Sequence, residues 1–112
     1  MNEAQHLTEI DFETLTEEES RELLNMLRSE VDNIDAEIVE LLNERAKRAA
    51  LIGKIKKFLG RPNYSPQREK EIIKKLLQIA DAQLGPSALM RIYERIIDEF
   101  RAIQRREREK EV

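Results

Sequence analysis

The sequence predicts an all-α protein: a three-helix protomer with one very long N-terminal helix, paired with a second copy in an intertwined homodimer. Three observations carry this expectation. Of the 112 residues, 38% are charged and 40% hydrophobic, with only three Gly and three Pro, a composition suited to long solvent-facing helices. Leu24, Leu27, Val31, Ile34, Ile38, Leu41, Arg45, Arg48, Ile52, Ile55 and Leu59 follow one another at alternating spacings of three and four, the mark of a helix seam. The strongest breakers fall at Gly60-Arg61-Pro62 and at Gly85-Pro86, dividing the chain into three helical lengths.

Residues 1–15 show no sustained periodicity and read as a flexible acidic leader, with Leu7, Ile10 and Phe12 available for local packing. A helical domain over residues 16–112 follows. Thr16 and Glu19 make a capping box, with acids in the first turn to suit the helix dipole. The first helix then runs to Leu59, where Gly60 stops it, and Gly53 is the only breaker inside it. Forty-odd residues of helix measure roughly 60 Å, whereas a compact monomer of this size has a radius of gyration of about 13 Å. Such a rod needs a partner, and two long helices running past one another, with shorter helices packed across both, supply it.

Ser65 and Pro66 fit an N-cap and first helical position, opening a second helix to about Ala82 with Ile72, Ile73, Leu76, Leu77 and Ala80 as its buried stripe. The third helix starts near Pro86 and runs past Gln104, burying Leu89, Ile92, Tyr93, Ile96, Ile97, Phe100 and Ile103. The final RREREKEV reads as a fraying, solvated helix end.

Composition also excludes chemistries. With no Cys and one His, at position 6, thiol nucleophiles, disulfide scaffolds, zinc fingers and Ser-His relays are out of reach. No run is apolar enough to span a bilayer, and the start is acidic where a signal peptide is basic and then apolar, so a cytoplasmic protein without a membrane partner is expected. Residues 1–20 carry seven acids and no base, leaving the rest with twenty bases against sixteen acids, a surplus of four positive charges. That surplus suits a small anion. Nucleic-acid binding would call for a basic face with aromatic or groove-reading elements, so no such partner is expected.

Function in so plain a helical chain belongs where charge interrupts a buried stripe, because an unpaired buried charge needs a compensating partner. Arg45 and Arg48 take two consecutive seam positions; they fit either a ligand grip or interface arginines satisfied by glutamates such as Glu44. Lys56 lies eleven residues beyond Arg45, about 20° of rotation and roughly 16 Å along the axis, so both side chains can converge on one anion, although a solvated lysine also fits. Arg68 and Glu69 edge onto the stripe of the second helix, where first-turn electrostatics and an exposed salt bridge are the plainer reading. Gln104 stands four residues after Phe100 on the packed side of the third helix, or is simply an amide near a helix end. Arg28 is about 25 Å along the helix from Arg45, so a shared small ligand requires the Arg28 of an antiparallel second copy.

The blocks LRSEVDNID, LLNERA, IGKIKK, SPQRE and RIIDEFRAIQ, in this order and at these spacings, resemble the all-helical AroQ-class chorismate mutase family over residues 23–104. The resemblance implies an intertwined dimer that converts chorismate to prephenate on the route to phenylalanine and tyrosine, without nucleophile, metal or cofactor. It implies that Arg28 from the partner chain and Arg45 each hold a substrate carboxylate, that Lys56 contacts the ether oxygen and a carboxylate, and that Arg68 adds a cation. Glu69 would accept from the ring hydroxyl, and Gln104 would donate to the ether oxygen as the bond breaks. Lys56, Gln104 and Arg45 are thus the implied catalytic groups.

Three positions depart from the family pattern. Ser65 stands where many relatives carry aspartate, the backbone there being the chief contact to the hydroxyl. Phe100 replaces a small hydroxyl or thiol residue near a carboxylate, and Arg48 replaces an apolar residue and has no assigned role. A related reading is isochorismate-pyruvate lyase, which shares the fold and the cationic grip; Glu69 argues against it, and an aromatic at Phe100 leans toward it. A reading of another class is a non-catalytic helical dimerisation module whose arginines flank the seam.

Overall fold

A computed structural model describes residues 10–110, and residues 1–9 of the expected leader lie outside the described residues. Three α-helices follow a single 3-10 turn, Phe12–Thr14: α1, Glu17–Phe58; α2, Pro66–Leu77; and α3, Pro86–Glu109. No strand occurs among the described residues, in keeping with the all-α expectation. No helix among them is long and apolar enough to cross a membrane. The backbone divides into two compact units at Leu41 and Leu42.

In the first unit, Asp11 caps the 3-10 turn through its carboxylate, which accepts from the Glu13 amide at 3.0 Å. The capping box then forms as the sequence anticipates. The Thr16 hydroxyl accepts from the Glu19 amide at 3.1 Å, and the Glu19 carboxylate accepts from the Thr16 amide at 3.2 Å. These bonds satisfy amides that a helix start otherwise leaves unpaired. Most seam residues of this stretch stand open: Leu24 is 47% exposed, Val31 and Ile34 53%, and Leu41 68%, while Leu27 is half-buried.

The second unit holds the core, where Ala49, Gly53, Ile97 and Phe100 are buried and α2 packs on α3. Gly60 ends α1 in the left-handed region at φ 67°. Its amide donates to the Lys57 carbonyl at 3.1 Å and that of Arg61 to the Lys56 carbonyl at 2.8 Å, the paired bonds of a Schellman motif. Ser65 caps α2, its hydroxyl accepting from the Arg68 amide at 3.4 Å, and Pro66 takes the first turn.

Three expectations need correction. First, α2 ends at Leu77 rather than near Ala82. The Gln78 and Ile79 amides tighten onto the Lys75 and Leu76 carbonyls, and the Asp81 carboxylate turns to the Ala82 amide at 2.7 Å, a local bond that competes with further helix. Second, Ile92, expected in the buried stripe of α3, is 49% exposed, because the packed face centres on Ile97 and Phe100. Third, RREREKEV is not a loose end as far as it is described. The helix continues to Glu109, the Arg108 guanidinium donates to the Arg61 carbonyl at 2.6 Å, and Lys57 reaches the Lys110 carbonyl at 3.4 Å. Glu107 sits 3.7 Å from Lys54, so these charges bind the end of α3 to that of α1 instead of facing water alone.

Candidate functional site

The approach of α1 to α3 that forms the site depends on a missing side chain. A Cβ placed on Gly53 would lie 2.6 Å from the Gln104 carbonyl oxygen and 2.9 Å from its Cα. Only glycine allows the two backbones this close. The sequence marks Gly53 merely as a helix breaker; its use as a contact surface depends on a residue fifty-one positions away.

One consequence is that Lys56, a turn beyond Gly53, meets Gln104 directly. Its ammonium donates to the Gln104 Oε1 at 3.2 Å and to the Asn63 carbonyl at 2.9 Å. Around this pair the structure gathers Arg45, Ser65, Arg68, Glu69 and Phe100 into a small concave pocket with a cavity volume of about 60 Å³, with Asn63 and Arg101 also on its wall. An adjoining recess shares Arg45, Lys56, Arg68 and Gln104 and adds Arg48, with no carboxylate on its lining. A field of that sign favours anions.

Phe100, one of the departures from the family pattern, forms a platform: the Arg45 guanidinium lies 4.4 Å above its ring centre, a cation–π contact that restrains a long side chain. Burial lowers the Arg45 pKa, opposed by Tyr93 and assisted by Arg68. Lys56 is also pushed below the ordinary lysine value, first by burial and then by the nearby positive charge of Arg108, with Glu69 pulling the other way. Its ammonium is therefore incompletely neutralised by its surroundings and is available to an incoming anion.

Glu69 is held by a residue the sequence reading passed over. Arg101 Nη2 donates to both of its carboxylate oxygens, at 2.6 and 2.7 Å, while the guanidinium stacks 4.6 Å above the Tyr64 ring. The hydrogen bond to Glu69 raises the Arg101 pKa. A signal was present, since Arg101 precedes Gln104 by three residues and shares its helix face. Asn63 was also passed over; its Nδ2 donates to the Arg101 carbonyl at 3.2 Å.

The remaining candidates are placed less centrally. Arg68 lines the pocket but its guanidinium is 3.7 Å from Glu71 and 58% exposed, so the salt-bridge reading describes it too. Arg48 pairs with Glu44 at 2.9 Å, which gives this seam arginine an acid partner on its own helix. Glu44 does not serve Arg45; it takes Arg48 and Lys47, whose contacts lower its pKa. Arg28 lies in the first unit and is not among the residues lining the pocket. No group of three or more His, Cys, Asp or Glu among the described residues is arranged to hold a metal ion.

The comparisons with known proteins converge on one family. A bifunctional chorismate mutase/prephenate dehydratase of Aquifex aeolicus is 42% identical over 89 residues, which is 76% of this chain and 25% of that protein. A chorismate mutase of Methanocaldococcus jannaschii is 29% identical over 85 residues, covering 75% of this chain and 86% of that protein. The chain spans about a quarter of the length of the bifunctional relatives it matches. Among solved structures, the chorismate mutase from Helicobacter pylori in complex with prephenate superposes with a TM-score of 0.72 at 34% identity, over 80% of this chain and 99% of that one. Residues 27–105, which include every pocket-lining residue, match the family model for chorismate mutase type II, and it is to that family that this chain belongs.

Proposed function

We propose that this chain is a chorismate mutase, rearranging chorismate to prephenate in aromatic amino acid biosynthesis, within a homodimer that shares its sites. The observation that carries the reading is the Lys56–Gln104 pair inside the cationic pocket. Lysine can only donate, so the Gln104 oxygen faces it and the Gln104 NH₂ remains to donate elsewhere. Lys56 and Gln104 are then two donors held ready for the ether oxygen as the bond to it breaks and negative charge collects there.

A unimolecular rearrangement requires nothing covalent from the protein. The pocket selects the folded conformer of the substrate and meets the charge that develops in the transition state. Arg45 grips one carboxylate through paired hydrogen bonds, and the Arg28 of a second copy grips the other. Arg68 adds positive field, Glu69 accepts from the ring hydroxyl, and the Ser65 backbone and the Phe100 ring complete the wall. The open seam over Leu24, Val31, Ile34 and Leu41 supports a partner helix there. In this reading residues 16–112 are the catalytic domain and residues 1–15 an acidic leader, and the enzyme works in the cytoplasm.

The decisive experiment supplies purified protein with chorismate and, separately, isochorismate, and identifies the products. Prephenate from chorismate is expected. Salicylate and pyruvate from isochorismate would instead make it a lyase, and no turnover of either compound would leave a non-catalytic dimerisation module.

A further inference from the structure

We propose that Arg101 is a positioning residue that fixes Glu69 as the reader of the substrate's ring hydroxyl, and so sets selectivity for a ring that carries that hydroxyl. The inference rests on the mutase reading above and extends it to a side chain that need not touch the substrate. Glutamate has several rotatable bonds, and at the start of a helix it ordinarily samples many rotamers. Here Arg101 Nη2 bridges both carboxylate oxygens at 2.6 and 2.7 Å.

The clamp is itself held from several sides. The Tyr64 ring lies 4.6 Å beneath the guanidinium, and Asn63 binds the Arg101 backbone carbonyl at 3.2 Å. Asp98 is 3.8 Å from Nη1, while the buried Nε has no partner, so Nη2 carries the short hydrogen bonds. Side-chain exposures of 32% for Arg101 and 26% for Glu69 separate this pair from surface pairs such as Arg95 and Glu99, at 78% and 57%. A carboxylate offers about four lone-pair directions. Arg101 occupies one on each oxygen, which leaves each oxygen able to accept from a hydroxyl in the pocket.

The test compares chorismate with its analogue in which the ring hydroxyl is replaced by hydrogen, using the wild-type protein, Arg101→Met and Arg101→Lys. The wild-type protein is expected to prefer chorismate. Arg101→Met is expected to reduce kcat/KM for chorismate by about tenfold, the ordinary weight of one hydrogen bond to a charged acceptor, while turnover of the analogue stays within about threefold of wild type by the same reasoning. Arg101→Lys, which keeps the charge and a donor, should recover part of the lost preference. Equal losses on both compounds would mean a purely structural arginine and overturn the proposal, as would an unchanged preference in Arg101→Met. Failure of the wild-type protein to convert either compound would instead remove the mutase reading on which the proposal stands.

Discussion

A guanidinium stacked on a phenyl ring keeps its charge but loses much of its freedom, and Arg45 above Phe100 is in that condition. Its in-plane N–H groups remain free for a carboxylate. Arg45→Ala is therefore expected to leave a folded protein, as judged by circular dichroism, with kcat/KM for chorismate reduced by about 100-fold or more, the effect of removing a charged grip in a preorganised site. Lys56 supplies a second prediction. Because burial and Arg108 lower its pKa, and because the proton must be present for Lys56 to donate, kcat/KM should fall on the alkaline side with a midpoint below the ordinary lysine value of about 10.4. Arg108→Gln removes a like charge and should move that midpoint upward, which a pH–rate profile measures directly. Arg45 and Gln104 were legible as candidates because charge or amide stands on a packed stripe, and Lys56 because it falls about 20° of rotation from Arg45 on the same helix. Arg101 was signalled only by the helix face it shares with Gln104, because its partner is a carboxylate thirty-two residues earlier in the chain.

At the scale of helices, starts and stops were mostly readable, since capping chemistry is local: Thr16 with Glu19, the left-handed Gly60, and Ser65 before Pro66 all behave as their sequence implies. The end of α2 was not readable, because an apolar stripe continuing to Ala80 says nothing about an aspartate bonding its own neighbour. Nor does a charge run disclose that Arg108 will find the Arg61 carbonyl. Gly53 gives the sharpest test at this scale. Gly53→Ala gains up to about 1 kcal/mol in helix propensity, yet its methyl meets backbone atoms at 2.6 and 2.9 Å that cannot rotate away. We expect a net loss of about 1–3 kcal/mol in urea unfolding, the usual penalty for overpacking. Activity should drop as well, since separating the helices moves Gln104 from Lys56.

For the whole molecule, the proposed shared site makes a quantitative prediction. Arg28→Ala and Arg45→Ala proteins should each be nearly inactive, yet a heterodimer of the two rebuilds one intact site, with Arg45 from one chain and Arg28 from the other. Random mixing yields heterodimers as half of all dimers, so a mixture unfolded and refolded together should recover about a quarter of wild-type activity, as closed two-fold pairing requires. No recovery, with sedimentation showing dimers, would mean that each site is built within one chain. The length of the seam led to the proposal of a second copy, and the open Leu24, Val31 and Ile34 support it; the choice of Arg28 as the arginine that would cross between copies came only from the family resemblance.

The tie between Arg108 and the Arg61 carbonyl bears on how the protein can be handled. Shortening it after Gln104 would spare every residue that lines the pocket, and by inventory would look harmless. It would nevertheless remove one of the ties on the loop that presents the Asn63 carbonyl to Lys56 and leave the Asn63 bond to the Arg101 carbonyl to hold it to α3, so a fragment with all its working parts would have lost part of the latch that keeps them aligned.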